Sequence, residues 1–256
     1  MGSGQWAVGS GQWGFILQHS SVYAQLEGCF WPEAAILAAS TPKGQGSPSV
    51  PRWPVYHRPV DFLLLLPLAL VALWIARARQ QRQRIAILNR YLSGHAIEKN
   101  IETLSQGYSR ALGESDPARS EQVWDVLRGT EEVLCRQVRA LAEDFTGVDP
   151  TATRVSKFTI WLPRSPAFDR SFDMREALRV HARGICRAVE EQGASPKDRA
   201  FAILAEMLLM QHSCHWYCRS KSVASARMVS SHRTSYEQLV GAVLPQTRQE
   251  YLGLVA

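Results

Sequence analysis

The chain has 256 residues and a net charge of +6. The charge is uneven: residues 60–90 hold five Arg against one Asp, residues 91–206 hold 16 basic and 18 acidic side chains, and residues 207–256 hold five basic and two acidic. The excess is local, which excludes a protein basic throughout, and no nucleotide loop, nucleophile elbow or complete metal signature is present.

Residues 1–59 have little apolar surface to offset ordering entropy and read as an extracytoplasmic, low-complexity, disordered segment. GSGQW occurs at 2–6 and again at 9–13 without an apolar period. Residues 26–39 allow one short helix. The stretch 41–54, TPKGQGSPSVPRWP, is a Pro/Gly/Ser linker.

Residues 60–76, VDFLLLLPLALVALWIA, read as one transmembrane helix. Seventeen residues rise roughly 25 Å, the short end of what crosses a bilayer core. Asp61 sits at the edge, and Pro67 should kink the helix, which membrane helices tolerate. Trp53, Tyr56 and Trp74 stand where an aromatic belt would. Arg77, Arg79, Arg82, Arg84 and Arg90 follow; the other flank offers only Lys43, Arg52 and Arg58. This bias places the C-terminal side in the cytoplasm and the N-terminus outside. Arg outnumbers Lys 24 to 5, the composition of a GC-rich genome, so the membrane expected is a bacterial inner membrane.

Residues 77–112 read as the basic collar and a helical stalk. Ile85, Leu88, Leu92, Ile97, Ile101, Leu104 and Tyr108 recur at three- and four-residue steps. Such a stripe must meet something, and without a strict heptad it is expected to pack on the domain that follows. Gly94 marks a bend and Gly113 a stop.

Residues 113–256 read as a cytoplasmic all-α domain, a bundle of about five or six helices. Ser115-Asp116-Pro117 opens one helix, interruptible at Gly129 and ending near Gly147. Residues 154–162 carry β-branched and aromatic side chains, but a lone strand has no evident partner, so they read as helix or extended loop. Residues 163–172 read as loop. Helices then start at Ser171 or Asp173 and at Ser195-Pro196. Residues 222–242 form a last long helical stretch, ended by Leu244-Pro245 with a short turn through Tyr251.

Two clusters carry chemistry on paper. His212, Cys214, His215 and Cys218 fall within seven residues. Thiolate and imidazole at helical steps can hold Zn²⁺, but one helix cannot surround a tetrahedral ion; His181 and Cys186, on a different helix, could supply the second half. No cofactor is otherwise expected. From Met207 to Tyr236 no acidic residue appears, and Arg219, Lys221, Arg227 and Arg233 lie there. That basic stretch fits phosphate or nucleic acid, with Trp216 and Tyr217 to stack on bases, but four charges over about 30 residues is modest for such a footprint, and a helix packed against the acidic 91–206 region is the preferred reading. The pairs Glu131-Glu132, Glu143-Asp144 and Glu190-Glu191 read as solvated faces. Cys135, Cys186, Cys214 and Cys218 are expected reduced, as cytoplasmic thiols, and Cys29 is alone outside; no disulfide is expected. The whole reads as a non-enzymatic, single-pass membrane protein whose helical domain binds a protein partner. Alternatives are a tethered nucleic-acid or phosphate binder and a metal-binding sensor or enzyme.

Overall fold

The computed structural model describes residues 60–157, 170–191 and 193–256, with side chains from residue 65 on. The GSGQW repeat, Cys29, the helix expected over 26–39, the linker over 41–54 and the flanking Trp53 and Tyr56 lie outside the described residues.

Among the described residues the chain is all-α but for one short ribbon. Helix α1 (Val60–Leu92) runs unbroken through Pro67, and α2 (Ile97–Gly113) follows a turn containing Gly94. Next come α3 (Pro117–Asp144), a 3₁₀ turn (Phe145–Gly147) and the one-turn α4 (Pro150–Thr153). Strands β1 (Arg154–Ser156) and β2 (Ser171–Asp173) then bracket the undescribed residues 158–169. The remainder is α5 (Met174–Glu190), α6 (Pro196–Cys218), α7 (Lys221–His232), α8 (Tyr236–Ala242) and α9 (Pro245–Val255).

The starts follow the capping logic of the sequence. Asp116, Asp149, Asp173 and Ser195 each accept a hydrogen bond from a first-turn amide, and Ser235 with Gln238 forms a capping box. Gly129 does not interrupt α3, because one glycine costs a helix only about 1 kcal/mol and the flanking turns are packed. The last stretch is not one helix: Arg233 adopts a left-handed conformation (φ 50°) after α7, and α8 restarts on its own cap. The turn expected through Tyr251 is the eleven-residue helix α9.

Helix α6 is the axis of the bundle. Its apolar residues go all round, as in a helix buried on every side, and Ile203, Met207, Leu209, Cys214, Trp216 and Tyr217 are all core. The stripe over 85–112 does meet the bundle. Leu88, Leu92, Ile97, Leu104 and Tyr108 are buried in the same cluster as α6. Arg84 fixes the joint. Its guanidinium donates to the Tyr217 carbonyl (3.0 Å) and the Arg154 carbonyl (2.5 Å), and lies 5.2 Å from the Tyr217 ring. This member of the arginine collar is therefore also a structural clasp.

Residues 154–156 form a strand after all. β1 pairs antiparallel with β2 in the register Arg154 with Asp173, Val155 with Phe172 and Ser156 with Ser171. Val155 and Phe172 point inward; Phe172 meets Trp216 edge-on at 5.0 Å, and Trp216 Nε1 donates to the Ser156 carbonyl at 3.0 Å. Two three-residue strands are too short to reveal a two-residue period, and their pairing rests on α6 rather than on the ribbon itself.

The N-terminal half of α1 leaves the bundle. Residues 65–75 expose their apolar side chains, from 40% at Ile75 to 69% at Trp74. Among the described residues no helix is long and apolar enough to cross a membrane.

One close approach is diagnostic of the packing of α5 on α6 and α9. A Cβ at Gly184 would fall 2.6 Å from Thr247 Oγ1 and 2.8 Å from Glu206 Cδ, with Glu206 Oε2 closer still. Both neighbours are fully buried and cannot swing away. Gly184→Ala is expected to lose about 1–3 kcal/mol of unfolding free energy in urea denaturation, as overpacked cores do. An unchanged midpoint would mean that Glu206 is free to move.

Candidate functional site

The chemistry-bearing side chains collect along α6 and the faces of α2, α3, α5, α7 and α9 that touch it. Three arrangements result.

The first is a buried ionic link. Glu131 of α3 accepts the Tyr108 hydroxyl of α2 at 2.8 Å and Arg199 Nε of α6 at 3.0 Å, and all three residues are buried. Glu131 is therefore no member of a solvated face. Its neighbour Glu132 is exposed, because adjacent positions on a helix point in different directions. The other two pairs behave as read: Asp144 meets His95 at 3.1 Å, and Glu190 meets Arg139 at 3.4 Å, both on the surface.

The second is a carboxyl at the α6–α9 contact. Glu206 Oε1 accepts the Leu244 amide at 3.0 Å, capping the start of α9. Burial pushes its carboxyl up to about 7, against the opposing pull of Thr247, the Leu244 amide and Arg187. The folded chain thus holds a proton that the unfolded chain releases near 4.5. Its contribution to stability is complete below 4.5 and is lost as pH rises through 7. Stability should fall by about 1 kcal/mol between pH 6.5 and about pH 8, and the Glu206→Gln variant should not show the fall. Equal pH profiles for the two proteins would remove this assignment.

The third is the histidine and cysteine cluster. His212, Cys214, His215 and Cys218 are all buried on α6. They do not surround a point: His212 Nε2 meets Ser225 of α7 at 3.2 Å and its ring lies 4.9 Å from Tyr236, on another side from the thiols. His181 Nε2 meets the Ser213 hydroxyl at 2.8 Å. Cys186, the other donor that would complete a zinc site, is bonded to Cys135. Among the described residues no three His, Cys, Asp or Glu side chains converge as a metal would need. Burial, reinforced by neighbouring histidines and cations, lowers His181 to about 3 and His212 and His215 to about 4, so these rings are neutral. Burial also pushes the Cys218 thiol up to about 12 and the Cys214 thiol upward, so neither is a ready nucleophile.

The Cys135–Cys186 disulfide corrects the expectation of four reduced thiols. α3 and α5 pack along their length and bring the two Cα atoms to 5.0 Å, within bonding range. A separation of 51 residues gives no sequence signal for that meeting.

The four basic residues do not form one face. Arg219 donates to Gln81 of α1 at 2.7 Å, and Lys221 lies over the rings of Tyr236 (4.4 Å) and Trp216 (5.2 Å). Arg227 stands near His215, and Arg233 is exposed at the end of α7. Trp216 and Tyr217 are 1% and 0% exposed, so neither can stack on a base. Their apolar surface is needed by the ribbon and by Phe145.

Sequence reasoning missed Glu131, Arg199 and Glu206. A charge flanked by apolar residues at i±3 and i±4 was the available signal: Leu127, Leu134 and Cys135 surround Glu131 in this way. No family model, curated protein or solved structure matches the chain.

Proposed function

We propose that the chain is a single-pass bacterial membrane protein whose helical domain binds a protein partner, as an accessory or assembly subunit of a membrane machine. The observation that carries the reading is the row of exposed apolar side chains over residues 65–75 of α1, which continues a helix clasped to the bundle by Arg84. A contiguous apolar surface of that kind needs lipid or protein against it. The apolar run over 60–76 begins before the first described side chain, so the proposed span is longer than the exposed row.

The partner reading rests on what the bundle offers. Its buried Glu131 and Arg199 are tied into a structural link, the Cys218 thiol stays protonated, and Arg219 and Lys221 have separate partners. Affinity purification of the full chain in mild detergent, with a nuclease-treated control, tests it. Stoichiometric protein partners that survive nuclease support the reading. Loss of the set with nuclease, or recovery of nucleic acid, replaces it. Alkaline carbonate extraction tests the anchor: full release of the protein from membranes overturns it.

The side of the membrane has two supports that disagree. The collar of Arg77, Arg79 and Arg82 favours a cytoplasmic domain. The Cys135–Cys186 bond favours an oxidising compartment and hence the opposite orientation. Fusions after Ala256 separate them. A fluorescent protein that glows supports the collar, and an active periplasmic phosphatase supports the disulfide.

A further inference from the structure

Where α1 joins the bundle, its last turns, the first turns of α2 and the middle of α6 enclose a cavity of about 50 Å³ that opens to one side. Most of the wall is apolar: Leu88, Ile101, Leu204 and Met207. Three polar atoms of lining residues have no hydrogen-bond partner, namely Glu98 Oε1, Ser105 Oγ and His215 Nε2. Ser105 and His215 are 2% and 3% exposed. A buried polar atom left unpaired costs about 1–3 kcal/mol, so three such atoms among the lining residues favour an occupant that supplies hydrogen bonds.

The chemistry of the wall narrows the occupant. A metal is disfavoured, since no three donors converge there and the lining thiols of Cys214 and Cys218 hold their protons. Burial raises the Glu98 carboxyl above its ordinary range. Water alone would satisfy the polar atoms, and the volume holds about three or four waters, but most of their neighbours would be hydrocarbon. One group fits both halves of the wall. A hydroxyl donates once and accepts, and a neutral imidazole and a serine hydroxyl each complement it.

We propose that this cavity binds an alkanol: its chain lies among Leu88, Ile101, Leu204 and Met207, and its hydroxyl is shared between Ser105 Oγ and His215 Nε2. The cavity holds the hydroxyl end and first carbons, and the rest of the chain lies in the open mouth beside Glu98. The position gives binding a consequence. Leu88 and Leu92 line the cavity and also attach α1 to the bundle, so an occupant bears directly on the joint between the two.

Saturation-transfer NMR on the full chain in detergent, with 1-butanol as the probe and 1-chlorobutane as its hydroxyl-free counterpart, tests the site. Transfer to 1-butanol is expected to exceed that to 1-chlorobutane at least threefold. Ser105→Ala should remove most of the difference, and Cys214→Leu, which fills the cavity, should abolish transfer to both. Leu208→Phe, at the rim, serves as the second filling variant should Cys214→Leu not fold. Equal transfer in the wild type and the filled variant, equal transfer to the two probes, or no transfer to either overturns the proposal; the last outcome leaves the cavity to water.

Discussion

Replacing Cys135 and Cys186 together by Ala should lower the unfolding free energy by about 4 kcal/mol, on the chain-entropy account of a loop of this size. The bond joins α3 to α5 across 51 residues of sequence. Without it the unfolded chain gains the freedom of that loop, while the folded chain keeps its packing, because Leu134, Val138 and Ile185 bury the same interface. The urea midpoint should therefore fall and the slope should rise slightly, as a looser unfolded state exposes more surface. Reducing agent should reproduce the effect in the wild type and do nothing further to the variant. A midpoint indifferent to both treatments would mean that the pair is not bonded in solution. The same bond bears on topology. Alkylation in intact cells followed by mass measurement should leave Cys135 and Cys186 unlabelled if the domain faces an oxidising compartment. Labelling of both would return the weight of argument to the arginine collar.

Arg199→Leu should be about as damaging, by a different route. The guanidinium is the cation facing Glu131 in the link to Tyr108, and both carboxylate oxygens are occupied in that link. Removing it leaves a fully buried carboxylate with one neutral donor. Breaking such a pair costs about 3–5 kcal/mol, more than the pair contributes relative to apolar residues of the same shape. For a domain of this size the loss corresponds to a fall in Tm of about 10 °C. The double variant Glu131→Leu/Arg199→Leu should recover much of it, because no charge is then left buried. If the double variant is as unstable as the sum of the two single ones, the link is not a unit.

Glu131 also illustrates what escaped a reading of the sequence. Its helix was expected, with its start at Asp116-Pro117 and the apolar residues Val123, Leu127, Leu134 and Val138. The face that Glu131 occupies is set by rotation about the helix axis. Whether a charge on that face is tolerated depends on Arg199, 68 residues away. The histidine and cysteine run shows the converse. Its composition suggested ligands, yet the bundle spends His212 on Ser225, His181 on Ser213 and Cys186 on Cys135. Spacing along one helix says which side chains share a face, but a site needs donors from a second element aimed at the same point, and only packing sets that.

Local signals were strong wherever the chain must satisfy its own backbone. Caps at Asp116, Asp173 and Ser195, the interruption at Gly94, the stop at Gly113 and the apolar stripe over 85–112 all follow from interactions within a few residues, so helix type and most boundaries were legible. The helical class of the fold follows from the same local terms. The β1–β2 pairing, the disulfide, the break at Arg233, the buried Glu206 and the cavity at the α1–α2–α6 junction were not legible. Each depends on two or more segments distant in sequence meeting at ångström distances. Hydrophobic burial drives that meeting without regard to order along the chain, so no window of sequence contains it.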